Sequence, residues 1–208
     1  MNNEQKQISV KIVILGGNLT GKTNYAFHFI NHDFIQQYFE SKSVQFYTKS
    51  INCLNKNLKL DIWDTVGNVR FRHLNKIFYK NANICLILFD LTNLDSLNDV
   101  DYYYNEIKIH NYKNCCIILV GNKCDDIENR KIFKKDIKQL KEKYKIPYFE
   151  ISCKNGRNIK ELEYFICRSY IQNTINDDIE DNQYDIQYNQ NFKIKKPSNR
   201  VKNICFIF

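Results

Sequence analysis

The 208-residue sequence has no C-x-x-C pair, and its four histidines (His28, His32, His73, His110) stand at no zinc-like spacing from its eight cysteines. That pattern excludes a structural zinc site of the usual kind. No apolar run approaches the roughly 18 residues of a membrane span. No internal repeat is visible. The polar start "MNNEQKQ" predicts no secretory leader. Position 2 is not glycine, which excludes N-myristoylation. Several cysteines sit inside apolar runs, Cys85 in "ICLILF" and Cys115 and Cys116 in "CCIILV". They read as small core hydrophobes in a reducing compartment, and a cytosolic location is expected unless the C-terminus attaches the chain to a membrane.

A hydrophobic fraction of 43% is enough for a real core. The net charge of +8 suggests an anionic partner: nucleotide, nucleic acid or membrane surface. Part of that charge belongs to a general Lys/Asn/Ile/Tyr bias. "ISVKIVIL", "ICLILF", "CCIILV" and "PYFEIS" read as strands apolar on both faces, as parallel strands between helix layers are. "NYAFHFI", "LDSLNDVDYYYNEIKIH", "KKDIKQLKEKYK" and "NIKELEYFICRSYI" between and after them read as helices. "VQFYTKSIN" and "NLKLDIW", flanking "CLNK", read as a hairpin that adds one antiparallel edge strand. The sum is a three-layer, doubly wound α/β domain over residues 1–171. After about residue 171 an acidic block (Asp177, Asp178, Glu180, Asp181, Asp185) precedes a basic one, and residues 172–208 read as a flexible tail.

The stretch "GGNLTGKT" (Gly16, Gly17, Asn18, Leu19, Thr20, Gly21, Lys22, Thr23) lies between the first strand and the first helix. A glycine-rich turn there lets backbone N–H groups face anionic oxygens, and the helix N-terminus adds partial positive charge. Lys22 is placed to reach the outer phosphates and the Thr23 hydroxyl to meet Mg²⁺. At the end of the next strand pair stands "DTVG". Asp64 there either holds Mg²⁺ through water or caps a helix, and metal is favoured beside the phosphate loop. Gly67 lets its backbone N–H approach the terminal phosphate.

"GNKCD" follows the strand "CCIILV". The Asp125 carboxylate can accept two hydrogen bonds from adjacent N–H donors, which guanine presents and adenine does not. The Lys123 stem is expected along the base plane, with Asn122 tying this loop to the phosphate loop. Ser152, Cys153 and Lys154, after "PYFEI", are placed to turn backbone N–H groups toward the guanine carbonyl.

From about residue 8 to 171 the chain resembles the Ras superfamily of small GTPases, with the Rab branch nearest through "KLDIWDTVGNVRFRHL", "FYKNA" and "LFDLT". The resemblance implies the P-loop GTPase fold, a six-stranded, mostly parallel sheet with five helices. It implies GTP and GDP as substrate and product, Mg²⁺, and a switch that regulates vesicle-mediated transport. An exchange factor, an activating protein and effectors would meet the switch face, and no nucleic acid is implied. By position, Phe34 packs on guanine, Ser41 is the first-switch hydroxyl on Mg²⁺, and Asn68 stands where a residue orients the attacking water. Phe46, Trp63 and Phe78 match an effector-facing aromatic trio, although Trp63 reads equally as core. A P-loop ATPase or kinase is contradicted by "NKCD".

The chain departs from that pattern at several points. Asn68 replaces the usual glutamine and is one methylene shorter. Ser41 replaces threonine, Glu40 the preceding proline, and Lys42-Ser43 the usual Ile-Gly; Asn18 and Leu19 stand where Ras has glycines. Positioning is most of the catalysis in phosphoryl transfer, so intrinsic hydrolysis is expected to be slow. A slowly cycling GTP-binding scaffold, or a Ras-like signalling GTPase, is the alternative. The terminal "CFIF" is a C-a-a-X box that predicts prenylation of Cys205. Lys193, Lys195, Lys196, Arg200 and Lys202 would supply the second membrane signal. The expected location is the cytosolic face of an endomembrane or the plasma membrane, with a cytosolic pool.

Overall fold

Strand β2 (Gln45–Cys53) turns back as β3 (Lys56–Asp64) through Leu54 and Asn55, both in the left-handed region at φ 48° and 61°. Two successive positive φ values give the hairpin turn whose twist matches its strands. In this computed structural model, residues 7–36, 43–111 and 115–181 are described. Ser41, Lys42, Cys205 and the five basic residues before it lie outside them.

Before the hairpin come β1 (Ile8–Leu15) and α1 (Lys22–Asn31). After it follow α2 (Lys76–Tyr79), β4 (Ile84–Asp90), α3 (Asn98–His110), β5 (Cys116–Asn122), α4 (Lys134–Tyr144), β6 (Tyr148–Glu150) and α5 (Ile159–Asp181). Single 3₁₀ turns at Arg72–Asn75 and Leu94–Leu97 lead into α2 and α3.

Among the described residues the strands form one six-stranded sheet in the order β2-β3-β1-β4-β5-β6. Only the β2–β3 pair is antiparallel. Side chains alternate between two buried layers. Val10, Ile12 and Ile14 of β1, with Leu86 and Leu88 of β4, pack on α1 through Tyr25 and Phe29 and on α5 through Leu162 and Ile166. Val13 and Leu15, with Cys85, Ile87 and Phe89, pack on the other face against Val100, Tyr103 and Ile107 of α3 and Ile137 and Tyr144 of α4. Helices on both faces explain why β1 and β4 are apolar at nearly every position rather than at alternate ones.

Two elements escape the apolar pattern. Helix α2 and its 3₁₀ approach are too short for a helical period to show. Helix α5 continues to Asp181, past residue 171 where the sequence turns polar. An established helix adds each residue at little cost, so polar residues can prolong it. Cys53, Cys85, Cys124, Cys153 and Cys167 are buried and unbridged. No helix among the described residues is long and apolar enough to cross a membrane.

The chain adds β3 on one side of β1 and β4 on the other, so the sheet order reverses at β1. Such folds form their ligand crevice there, beyond the carboxyl ends of the strands. The loops after β1, β3, β5 and β6 all open at that edge.

Candidate functional site

The loop after β1 is shaped by what glycine permits. Gly16 has φ 146°, and a Cβ there would stand 2.2 Å from the Leu88 carbonyl oxygen. Gly21 has φ 92°, and its Cβ would fall 2.1 Å from Asn122 Nδ2. Leu19 is also left-handed, at φ 62°. The Gly17 carbonyl accepts from the Thr20 hydroxyl at 3.0 Å and from Lys22 Nζ at 2.8 Å, while Tyr103 OH donates to the Gly16 carbonyl. Helix α1 starts at Lys22 with no side-chain cap and no acidic residue in its first turn. An anion is the complement of such a helix end.

Lys22 is only 6% exposed, and burial pulls its ammonium down to about 8 against the opposing pull of Asp64 and Asp99. Gly67 comes beside it: a Cβ at residue 67 would meet Lys22 Nζ at 2.4 Å and the Gly17 carbonyl oxygen at 2.6 Å. Thr23 Oγ1 donates to Asp64 Oδ2 at 2.7 Å, while the buried Asp64 Oδ1 has no hydrogen-bond partner among the described residues. Burial pushes the Asp64 carboxyl up to about 6, with the Thr23 hydrogen bond and Lys22 opposing. A buried carboxylate oxygen without a donor, beside a hydroxyl, is a hard-oxygen pair suited to Mg²⁺. These residues fit that ion.

Asn68 does not extend freely beyond Gly67. Its Oδ1 accepts the Arg70 N–H at 2.9 Å, and its carbonyl accepts from Phe71 and Arg72. The shorter side chain thus caps its own turn, as asparagine commonly does.

Asn122 joins three loops. Its Nδ2 donates to the Thr20 carbonyl at 2.9 Å and its Oδ1 accepts from Cys153 N at 3.2 Å. Ser152 is fully buried; its N–H donates to the Arg157 carbonyl and its hydroxyl accepts from Asn155 N. Two of the three N–H groups of the 152–154 stretch therefore have protein partners. Leu19, Phe34, Lys123, Asp125 and Lys154 line one open cleft of ≈ 640 Å³ with Asn122 and Gly21. A second depression, at Arg130, Phe133 and Glu150, shares no residue with it.

The aromatic trio is contiguous. Ring centroids are 4.8 Å apart for Phe46 and Trp63 and 5.1 Å for Trp63 and Phe78. Trp63 is half-buried against the core layer under α3, while Phe46 is half exposed, so Trp63 serves both readings. Sequence reasoning missed Asp99 and Arg72. Asp99 Oδ1 pairs with Arg72 at 3.1 Å, and its Oδ2 lies 2.2 Å from where a Gly17 Cβ would be. Arg72 also lies over the Tyr102 ring at 3.9 Å. The one signal was an acidic residue in a helix first turn after a strand end.

The Ras family profile matches residues 11–172. Human Ras-related protein Rab-3A is 32% identical over 151 residues, covering 73% of this chain and 69% of the relative. Ras-related protein Rab-3 of Caenorhabditis elegans is 31% identical over 152 residues, with the same coverage. With a phosphate-type loop, a six-stranded sheet and this extent of likeness, the chain belongs to the Ras family and is a small GTPase of the Rab type.

Proposed function

We propose that the chain is a Mg²⁺-dependent GTP/GDP switch, held at a membrane and regulating vesicle-mediated transport. The observation that carries the nucleotide part is the Asn122 amide, which locks the phosphate-type loop to the 152–154 loop around the cleft that holds Asp125. Backbone N–H groups of residues 16–23 and Lys22 would take the phosphates. Phe34 and the Lys123 stem would bracket guanine, and Asp125 would accept its two N–H donors. Lys154 N–H is left to face the base carbonyl. Thr23, Ser41 and, through water, Asp64 would hold Mg²⁺, whose charge offsets that of the phosphate oxygens. Gly67 brings its backbone beside Lys22, where the terminal phosphate would sit.

The surface of Phe46, Trp63 and Phe78 is the proposed effector face, and Phe71, Leu74 and Ile77, just before Phe78 in the chain, are exposed as well. Exchange factors and activating proteins would engage the same side. Membrane attachment rests on Cys205 and the basic residues, on the cytosolic face of an endomembrane or the plasma membrane. The second reading, a slowly cycling GTP-bound scaffold, is favoured by one contact: Asn68 Oδ1 is held by Arg70 N–H.

Competition between GDP and ADP for a fluorescent guanine nucleotide tests the base assignment. GDP should compete and ADP should not. Asp125→Asn should weaken GDP and admit xanthosine diphosphate, whose 2-carbonyl replaces the amino group. Equal competition by ADP would sink the assignment.

A further inference from the structure

Lys123 has a left-handed backbone, φ 65°, at the end of β5. Its ammonium does not trail into solvent. Nζ donates to Asp90 Oδ2 at 2.6 Å, across from the carboxyl end of β4. Asp90 is 5% exposed and is itself fixed from several sides. Its Oδ1 accepts from Thr92 N at 2.9 Å and from Thr92 Oγ1 at 2.7 Å. Its N–H donates to Ser96 Oγ at 3.0 Å, and the Ser96 hydroxyl donates to the Asn93 carbonyl at 2.6 Å. Asp90 and Asn122 are paired in register across β4 and β5, and Leu91 N donates to the Asn122 carbonyl at 3.0 Å. The lysine stem is thus stretched between a backbone and a carboxylate that both belong to the sheet edge, and Lys123 lines the cleft with Phe34 and Asp125.

We propose that Asp90 is a positioning residue for guanine-nucleotide binding, holding the Lys123 stem against the base by anchoring its ammonium. The proposal rests on the guanine reading of the cleft. A free lysine side chain loses rotamer freedom when a ligand packs on it, and that loss weakens binding. Here the loss is taken at folding, so the nucleotide meets a wall already in place. The charge-assisted pair is short and its acceptor is shielded from water, which favours persistence. Asp90 touches no atom of the nucleotide in this scheme. It acts only through Lys123.

Release of a fluorescent GDP analogue from the full chain, in excess Mg²⁺, tests this. In Asp90→Asn the amide oxygen can still accept from Thr92, which turns the amide N–H₂ toward the Lys123 ammonium, so the anchor is lost. Release should become about three- to tenfold faster, the range expected for freeing one long side chain. Thr92→Val removes a hydroxyl bond to Asp90 but leaves the anchor, and release should not change. In a Lys123→Met background, which has no ammonium to hold, Asp90→Asn should add nothing. Unchanged release in Asp90→Asn overturns the proposal. So does an equal acceleration in Thr92→Val, or an undiminished effect of Asp90→Asn beside Lys123→Met; each would give Asp90 a role in the turn alone. Failure of the unmodified protein to retain GDP would instead refute the guanine reading.

Discussion

Asparagine at position 68 is one methylene shorter than glutamine, and the structure shows where that length matters. Its carboxamide oxygen accepts the Arg70 N–H, closing a local turn. A glutamine in the same place is too long for that turn and long enough to project beyond it. Asn68→Gln is therefore expected to raise intrinsic GTP hydrolysis, by up to about 100-fold if positioning is the main defect. Single-turnover hydrolysis measures this. No increase would place the defect in the first switch, at Ser41 and Lys42. Backbone geometry decides which site residues a sequence can disclose. Gly16, Gly21 and Gly67 are legible because a Cβ at each would strike its neighbour at 2.2, 2.1 and 2.4 Å, so the residue type is dictated by backbone geometry. Asp90 and Asp99 are not, because each acquires its role from a partner brought near by folding: Lys123, 33 residues on, and Arg72, 27 residues back.

Among the elements, the strands were legible and the segment between β3 and β4 was not. Strands β1 and β4 sit between two helix layers, so continuous apolar runs announce them. The segment from Asn68 to Tyr79 is built from turn contacts, a 3₁₀ turn and a helix of four residues, none long enough to impose a period. It is held instead by specific bonds: Asn75 Nδ2 to the Val66 carbonyl at 3.0 Å, and Arg72 to Asp99. The β2–β3 hairpin carries an element-level fault that predicts its own repair. Leu54 occupies the first left-handed turn position, at φ 48°, and is 52% exposed, so it has strain and little burial to offset it. Asparagine tolerates that backbone far better. Leu54→Asn should stabilise the protein by about 1 kcal/mol, a rise of roughly 2–4 °C in Tm for a domain of this size. Thermal unfolding of the GDP complex is the measurement. A fall in Tm would mean that the Leu54 side chain contributes packing that outweighs its strain.

At the scale of the whole molecule, the nucleotide cleft and the C-terminus make separate demands. The cleft is lined from the loops after β1, β5 and β6, which Asn122 ties together, while Lys123 is tied to Asp90 at the end of β4. Nothing in it calls for a membrane. In the proposed function the last residues do. Cys205 in "CFIF" would offer one lipid site, and a single chain gives only marginal, reversible binding. Lys193, Lys195, Lys196, Arg200 and Lys202 can each add up to about 1 kcal/mol on an anionic leaflet. Residues 182–204 separate Cys205 from the end of α5 at Asp181, and the two functions are proposed to act independently. Cys205→Ser should then move the protein to the cytosolic fraction while leaving GDP affinity unchanged. Neutralising the five basic residues should weaken membrane binding with the lipid still attached, and more of the unmodified protein than of this variant should be released as salt is raised, because screening removes only the charge contribution. Sedimentation with vesicles of defined anionic lipid content reads both effects. Cys205→Ser protein that stays on membranes would mean that a bound partner, rather than a lipid chain, keeps the switch in place.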